Sequence, residues 1–305
     1  MSFNTPILFL TYRNLGITQK VFNQIKKIKP KKLYISSDGY PSNDNKIIGE
    51  INSTRKIFNQ IDWKCDVKKK FSKKNLGIKS GVVSAIDWFF DNEDEGIILE
   101  YDCLPSTHFF DYCEKLLKHY RFDNQIFSIS GNNLLEGEIY LDCDVYFSSL
   151  TPIWGWATWK RAWDQFDPTL DAWRDGWSWK LICKRVFTNY RARAYWSWMF
   201  RQVEMKRRDS WAYRFILTIW QKNGCVIIPK LNLTENIGFN DAGEHTAHFS
   251  GLEVSAAKQR FPLHHPPIIA VNPEVDRWFE DGVHSKSLLV RLVWLSRKLK
   301  EIYYH

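Results

Sequence analysis

Residues 6–12 (PILFLTY) form an unbroken apolar run of strand length, and apolar positions over 18–28 recur at helical spacing. The same alternation then repeats. KLYIS at 32–36 reads as a second strand, closed by the turn Ser37-Asp38-Gly39, with a helix predicted over 45–60 and a short strand over 63–68. GVVSAIDWFF at 81–90 reads as a buried helix, and GIILE at 96–100 as the next strand. Strands alternating with helices at this spacing predict βαβ units and a mainly parallel α/β sheet. Runs without polar alternation, such as ILFL and IIL, suit strands covered on both faces.

The pattern changes after about residue 150. Eleven of the fifteen Trp lie between Trp154 and Trp220, in a stretch rich in Lys and Arg. This half is expected to hold longer loops and helices. Over 285–304, Leu288, Leu292, Leu295, Leu299 and Ile302 form one stripe, with Arg291, Arg297, Lys298 and Lys300 among them. That is the pattern of an amphipathic helix, which lies in a bilayer interface, on the protein's own core or on a second subunit of a homodimer.

Composition narrows the classes. With 305 residues, 44% of them hydrophobic and 25% charged, the chain has enough apolar material for a sizeable core. Broad disorder is excluded. A net charge of +9 asks for a negative partner: a nucleotide diphosphate, an anionic lipid surface or nucleic acid. No nucleic-acid-binding motif is present and the basic residues are spread over both halves, so no nucleic acid partner is expected. Six cysteines without a C-x-x-C pair read as reduced thiols rather than a zinc site or disulfide scaffold. The N-terminus lacks a basic leader and no stretch is long enough to span a bilayer, so the expected location is cytoplasmic, with a peripheral place on the inner face of the membrane left open by the amphipathic stripe. The lysine runs at 68–70 and 73–74 are expected on the solvated surface.

Chemistry concentrates at Glu100-Tyr101-Asp102, where two carboxylates leave the carboxyl end of a buried strand. In open α/β sheets ligands bind outside that end. A hard divalent cation takes one or two carboxylates there plus phosphate oxygens; an ordinary solvated turn is the plainer reading. A nucleotidyltransferase would want a Gly-rich phosphate loop near the N-terminus, and the TYRNLG segment has a single Gly.

The ordered set PILFLTYRN, Ser37-Asp38-Gly39, the helix before the acidic strand, Pro105-Ser106-Thr107-His108-Phe109-Phe110-Asp111-Tyr112, Gly155-Trp156-Ala157-Thr158-Trp159 and the block 209–246 points to one family. Over roughly residues 5 to 250, the chain resembles GT-A glycosyltransferases of the N-acetylglucosaminyltransferase-I type and their bacterial relatives. The resemblance implies a GT-A fold over 1–255, with 1–104 as the nucleotide- and metal-binding half, 105–255 as the acceptor half and 256–305 as a helical tail. It implies an inverting, metal-dependent transfer of a sugar from a nucleotide-sugar donor, UDP first. The acceptor would be a saccharide or lipid-linked saccharide, as in surface polysaccharide or lipopolysaccharide biosynthesis.

Residue by residue, the resemblance gives Asp102 the Mn²⁺ or Mg²⁺ ion and puts Glu100 beside the nucleotide. Tyr101 stands where relatives carry an acid. Asp38 contacts the nucleoside base or simply forms an Asx turn with Gly39. Arg13 falls near the phosphates. Trp156 or Trp159 faces a sugar ring or packs in the core. Asp209 is the candidate catalytic base, one position from the family's acid, with Glu204 in reserve. His245 faces the metal or diphosphate, or is a plain surface residue. Tyr101 and Ala212 depart from the family pattern, which keeps a catalytically inactive relative as a rival.

Overall fold

The computed structural model describes residues 3–41, 44–238, 259 and 261–281. The first strand, β1 (Ile7–Thr11), runs into α1 (Leu15–Ile28), then β2 (Lys32–Ser37) and α2 (Asn45–Lys56), which ends in a 3₁₀ turn at Ile57–Gln60. Next come β3 (Asp66–Phe71), α3 (Gly77–Phe90) and β4 (Glu95–Glu100). A short strand β5 (Cys103–Pro105) leads to α4 (Thr107–His119), β6 (Ile126–Ser130), β7 (Val145–Ser148) and β8 (Trp156–Trp159). The second half adds α5 (Lys160–Trp163), α6 (Asp171–Arg174), α7 (Gly176–Val186), α8 (Tyr190–Glu204) and α9 (Ala212–Gln221). It closes with β9 (Cys225–Pro229), β10 (Thr234–Asn236) and α10 (Pro273–Phe279).

Eight strands form one sheet in the order β3-β2-β1-β4-β8-β6-β9-β7, and β5 pairs with β10 separately. Strands β1 to β4 are mutually parallel, as the βαβ spacing predicts, while β8 runs antiparallel between β4 and β6. The α/β class expected from the sequence is the one the chain adopts. Strand periodicity then divides the core in two. Ile7, Phe9, Leu33, Ile35, Ile97 and Leu99 meet α1 and α4 on one face. Leu8, Leu10, Tyr34 and Ile98 meet α3 and the Trp-rich helices on the other. Two covered faces explain the absence of polar alternation.

Four boundaries differ by more than one residue from the pattern reading, the first being α1, which begins at Leu15 rather than 18 because Asn14 caps it there. Strand β3 lies at 66–71 rather than 63–68, because its register is set by pairing Lys32 with Asp66 through Ser37 with Phe71, not by an apolar run. It is an edge strand, and its lysines blunt that edge. They are also tied down: Lys68 donates to Asn92 (2.8 Å) and Lys70 to the Ser84 carbonyl (2.7 Å). Helix α3 starts four residues early, at Gly77, whose φ of 78° suits glycine. The predicted 45–60 helix loosens to 3₁₀ after Lys56.

At the other edge, β7 is covered by part of the expected tail. Asn272 N donates to the Phe147 carbonyl (2.8 Å), and Asp276 accepts from Ser148 and Ser149. The amphipathic stretch 285–304 and His245 lie outside the described residues. Among the described residues no helix is long and apolar enough to cross a membrane.

Candidate active site

Topology fixes where a ligand belongs. The chain enters the sheet at β1, moves outward through β2 and β3, then returns to the far side of β1 as β4. The strand order therefore reverses between β1 and β4, and open α/β sheets bind ligands outside the carboxyl ends of the strands at such a switch point. A cavity of about 1220 Å³ opens there. Ligand pockets typically run from about 300 to 1,000 Å³, so this cleft is a large one.

Arg13, Asp38, Glu100, Tyr101, Asp102 and Asp209 all line this cavity. Arg13 sits on the turn after β1. Asn14 next to it takes a left-handed φ of 82° and caps α1 by accepting from Ile17 N (3.1 Å). A short polar side chain tolerates that backbone better than most.

Asp38, at the end of β2, is heavily committed. Its carboxylate accepts from Gly39 N (2.7 Å), Leu76 N (2.9 Å) and Gly77 N (3.2 Å). The Asx turn is thus present, and the same oxygens satisfy the otherwise uncapped start of α3. Gly39 is pressed on the Lys74 backbone, where an added Cβ would stand 2.4 Å from the carbonyl oxygen.

Arg55, which the sequence reading did not single out, braces this wall. Its guanidinium donates to the carbonyls of Asp38 (3.0 Å) and Ser72 (2.8 Å), its Nε to Ser37 Oγ (3.0 Å), and it lies over the Phe71 ring at 4.9 Å. The available signal was its spacing: Arg55 stands at i+4 from Ile51 and i−3 from Phe58, on the buried side of α2.

The acidic turn is the electrostatic centre. Burial, then the charge of Asp102, pushes the Glu100 carboxyl up to about 8. Burial also raises Asp102, against hydrogen bonds from the Cys103 thiol and the Asn236 side chain that favour its ionised form. Tyr101 is pushed up to about 12, by burial first and by both acids, with Arg13 opposing. The β5–β10 pairing closes this turn from the far end of the sequence, with Ile237 N donating to the Asp102 carbonyl (2.8 Å). Gly238 leaves Asp102 open: a Cβ there would lie 2.8 Å from Oδ2.

The opposite wall comes from the second half, with Trp154, Arg208, Asp209, Ser210 and Trp211. Asp209 Oδ2 accepts from Lys79 N (3.4 Å), so carboxylates from both halves hold the first turn of α3. Trp156 and Trp159 are not on this wall. They lie three apart on β8, so they point to opposite faces, and both faces are covered. Trp156 is 1% exposed and stacks on Trp211 at 5.4 Å, while Trp159 donates to the Leu117 carbonyl (3.1 Å). Trp154, in the turn before β8, is the Trp of this segment that reaches the cavity. Glu204 lies off the wall and pairs with Arg174 (2.9 Å).

The donor set suits a hard cation. Glu100 and Asp102 form no ion pair among the described residues, and the charge of Asp102 adds to the cost of charging Glu100. Among the described residues no cluster of three or more metal-binding side chains exists. Two carboxylates facing open cavity match Mg²⁺ or Mn²⁺, which fill their remaining positions with phosphate oxygens and water.

This pair makes stability depend on pH. Unfolded, Glu100 releases its proton near 4.5; folded, it keeps it to about 8. The native state therefore binds more protons between those values, and metal-free stability should fall as pH rises through that window. Discounted for partial exposure, the loss should be about 1–3 kcal/mol. Denaturant melts in chelator should show Glu100→Gln equal to wild type near pH 4.5 and more stable at pH 8. Parallel curves for the two proteins would remove the buried-pair account.

No family model matches the sequence, and no curated protein matches it either. Solved structures similar to the chain include apo UDP-glucose pyrophosphorylase, at 11% identity and a TM-score of 0.40 over 77% of this chain and 93% of that one. The UDP-glucose pyrophosphorylase complexed with UDP-glucose gives 11% and 0.38 over 74% and 90%. The 4-diphosphocytidyl-2C-methyl-D-erythritol synthase from Anaerococcus prevotii gives 8% and 0.31 over 53% and 73%. At such scores the fold rests on the sheet order, not on these likenesses.

Proposed function

We propose that this chain is a metal-dependent, inverting glycosyltransferase that moves a sugar from a nucleoside-diphosphate sugar, UDP first, to a saccharide or glycolipid acceptor. One observation carries the reading. Two half-buried carboxylates without a cation partner among the described residues sit at the switch point of a mainly parallel sheet, across one cavity from Asp209.

Asp102, with Glu100 beside it, would hold Mn²⁺ or Mg²⁺. Bound there, the ion supplies Lewis-acid stabilisation of charge on the departing diphosphate. Arg13 adds a cation on the phosphate side of the cavity. Asp38, held by the α3 amides and braced by Arg55, shapes the nucleoside wall, and Tyr101 keeps a neutral phenol between the acids. Asp209 takes the proton of the acceptor hydroxyl as that oxygen bonds to the anomeric carbon. The bond from that carbon to the diphosphate oxygen breaks on the opposite face, and the diphosphate leaves with the electron pair. Configuration inverts.

Ser210 and Ala212 flank Trp211 where relatives carry an acid, so an inactive relative is the second reading. Thermal melts with UDP, GDP, CMP and dTDP sugars, with and without Mn²⁺, test the site, because a ligand bound only by the folded state raises the melting temperature. A Mn²⁺-dependent rise for one nucleotide, followed by donor hydrolysis, is the expected result. Binding without hydrolysis or transfer favours the inactive relative. Release of pyrophosphate from a nucleoside triphosphate and a sugar phosphate would replace this reading by nucleotidyl transfer.

A further inference from the structure

The positive charge of this protein is not spread evenly along the sequence. Residues 171–208, which form α6, α7 and α8, hold ten basic side chains against three acidic ones. Residues 282–305 hold five against one, which leaves 28 basic and 30 acidic residues everywhere else. The whole excess therefore sits in two segments. The first of them lies within the described residues, where Asn189, the N-cap of α8, donates to Asp281 (3.1 Å).

Helix α7 carries this charge on an unusual face. Trp177, Lys180, Leu181 and Lys184 are exposed and fall within about 100° of arc at the helical advance per residue. The opposite side is spent on the core: Ile182 and Cys183 are buried, and Trp179 donates to Ser197 Oγ (3.0 Å) against Phe200. Two tryptophans two residues apart thus have opposite fates, with Trp177 66% exposed. Leu181 is 48% exposed, and Tyr190 at the start of α8 72% exposed. A solvated helix has no need of Trp and Leu on its outer stripe.

We propose that the outer face of α7, with the start of α8, docks on an anionic lipid bilayer. Aromatic and aliphatic side chains flanked by lysines on a convex helix match the acyl–headgroup boundary, and basic residues add attraction to anionic lipid. Charge complementarity decides among occupants. A second copy, or this chain's own basic end segment, would set positive on positive. A single-stranded nucleic acid would want stacking aromatics along a groove rather than a stripe on a convex helix. The proposal stands apart from the active-site reading, although a docked acceptor half would face lipid-linked saccharides.

Co-sedimentation of the full chain with vesicles tests it. Wild type should pellet with phosphatidylcholine vesicles containing about a third phosphatidylglycerol and stay in solution with phosphatidylcholine alone. Trp177→Glu/Leu181→Glu and Lys180→Glu/Lys184→Glu should each weaken that binding at least about tenfold, with melting temperature and nucleotide response unchanged. Variants that bind like wild type, or a wild type that ignores anionic vesicles, overturn the proposal. So does loss on charge reversal only, with heparin or single-stranded RNA competing, which would mark a general polyanion surface. Failure of nucleotide binding alongside intact vesicle binding would strike the proposed function alone.

Discussion

Replacing Asp102 by Asn should leave the metal-free protein as stable as wild type or more so, while lowering sugar transfer about a thousandfold or more. Both effects follow from one carboxylate. Asn keeps the shape and one acceptor oxygen for the Cys103 thiol, which approaches Asp102 Oδ1 at 3.6 Å. It removes a charge that burial disfavours, and with it the repulsion that raises Glu100. Stability should therefore rise by roughly 1–2 kcal/mol at pH 8, as expected for relief of a buried charge. The same change removes the anionic oxygen left open by Gly238, so Mn²⁺ should no longer raise the melting temperature in the presence of donor. A gain in stability joined to a loss of activity separates a lost ligand from a misfolded protein. A variant that keeps Mn²⁺-dependent transfer would remove Asp102 from the site.

Much of this centre was legible because parallel strands buried on both faces write themselves as apolar runs. PILFLTY, KLYIS and GIILE mark three strand ends, and the polar residues that follow each are the ones that face the cavity. What pattern did not show was long-range. Pairing of β5 with β10 joins residues 103–105 to 234–236, two strands too short to carry a periodic signal, and it brings Asn236 and Gly238 to Asp102. Arg55 reads as one more basic residue on a helix until the ends of β2 and β3 converge on it. Strand β3 has almost no apolar signature, since its lysines answer to an edge rather than a core. The tryptophans misled for a related reason. Aromatic side chains suit both sugar faces and cores, and only the packing of α9 over β8 tells that Trp156 is covered.

The second large effect should come from Asp209. Asp209→Asn should cut turnover by about 10²–10⁴, the usual contribution of a general base, with nucleotide binding unchanged. Asn is the informative substitution because the proposed base also makes a structural contact. Its Oδ2 accepts from Lys79 N at 3.4 Å, which ties the segment before α9 to the first turn of α3. An amide oxygen can keep that contact but cannot take a proton from a hydroxyl. Should the residue be only a brace, Asp209→Asn would turn over like wild type and Asp209→Ala would lose stability and donor affinity instead. Glu204→Gln supplies the contrast. Glu204 lies off the cavity and pairs with Arg174, so its loss should leave turnover within about twofold, as for an exposed pair. Steady-state transfer and nucleotide titration on the three variants decide the matter: a large drop in turnover for Glu204→Gln, with Asp209→Asn unaffected, would move the proton acceptor to the other acid.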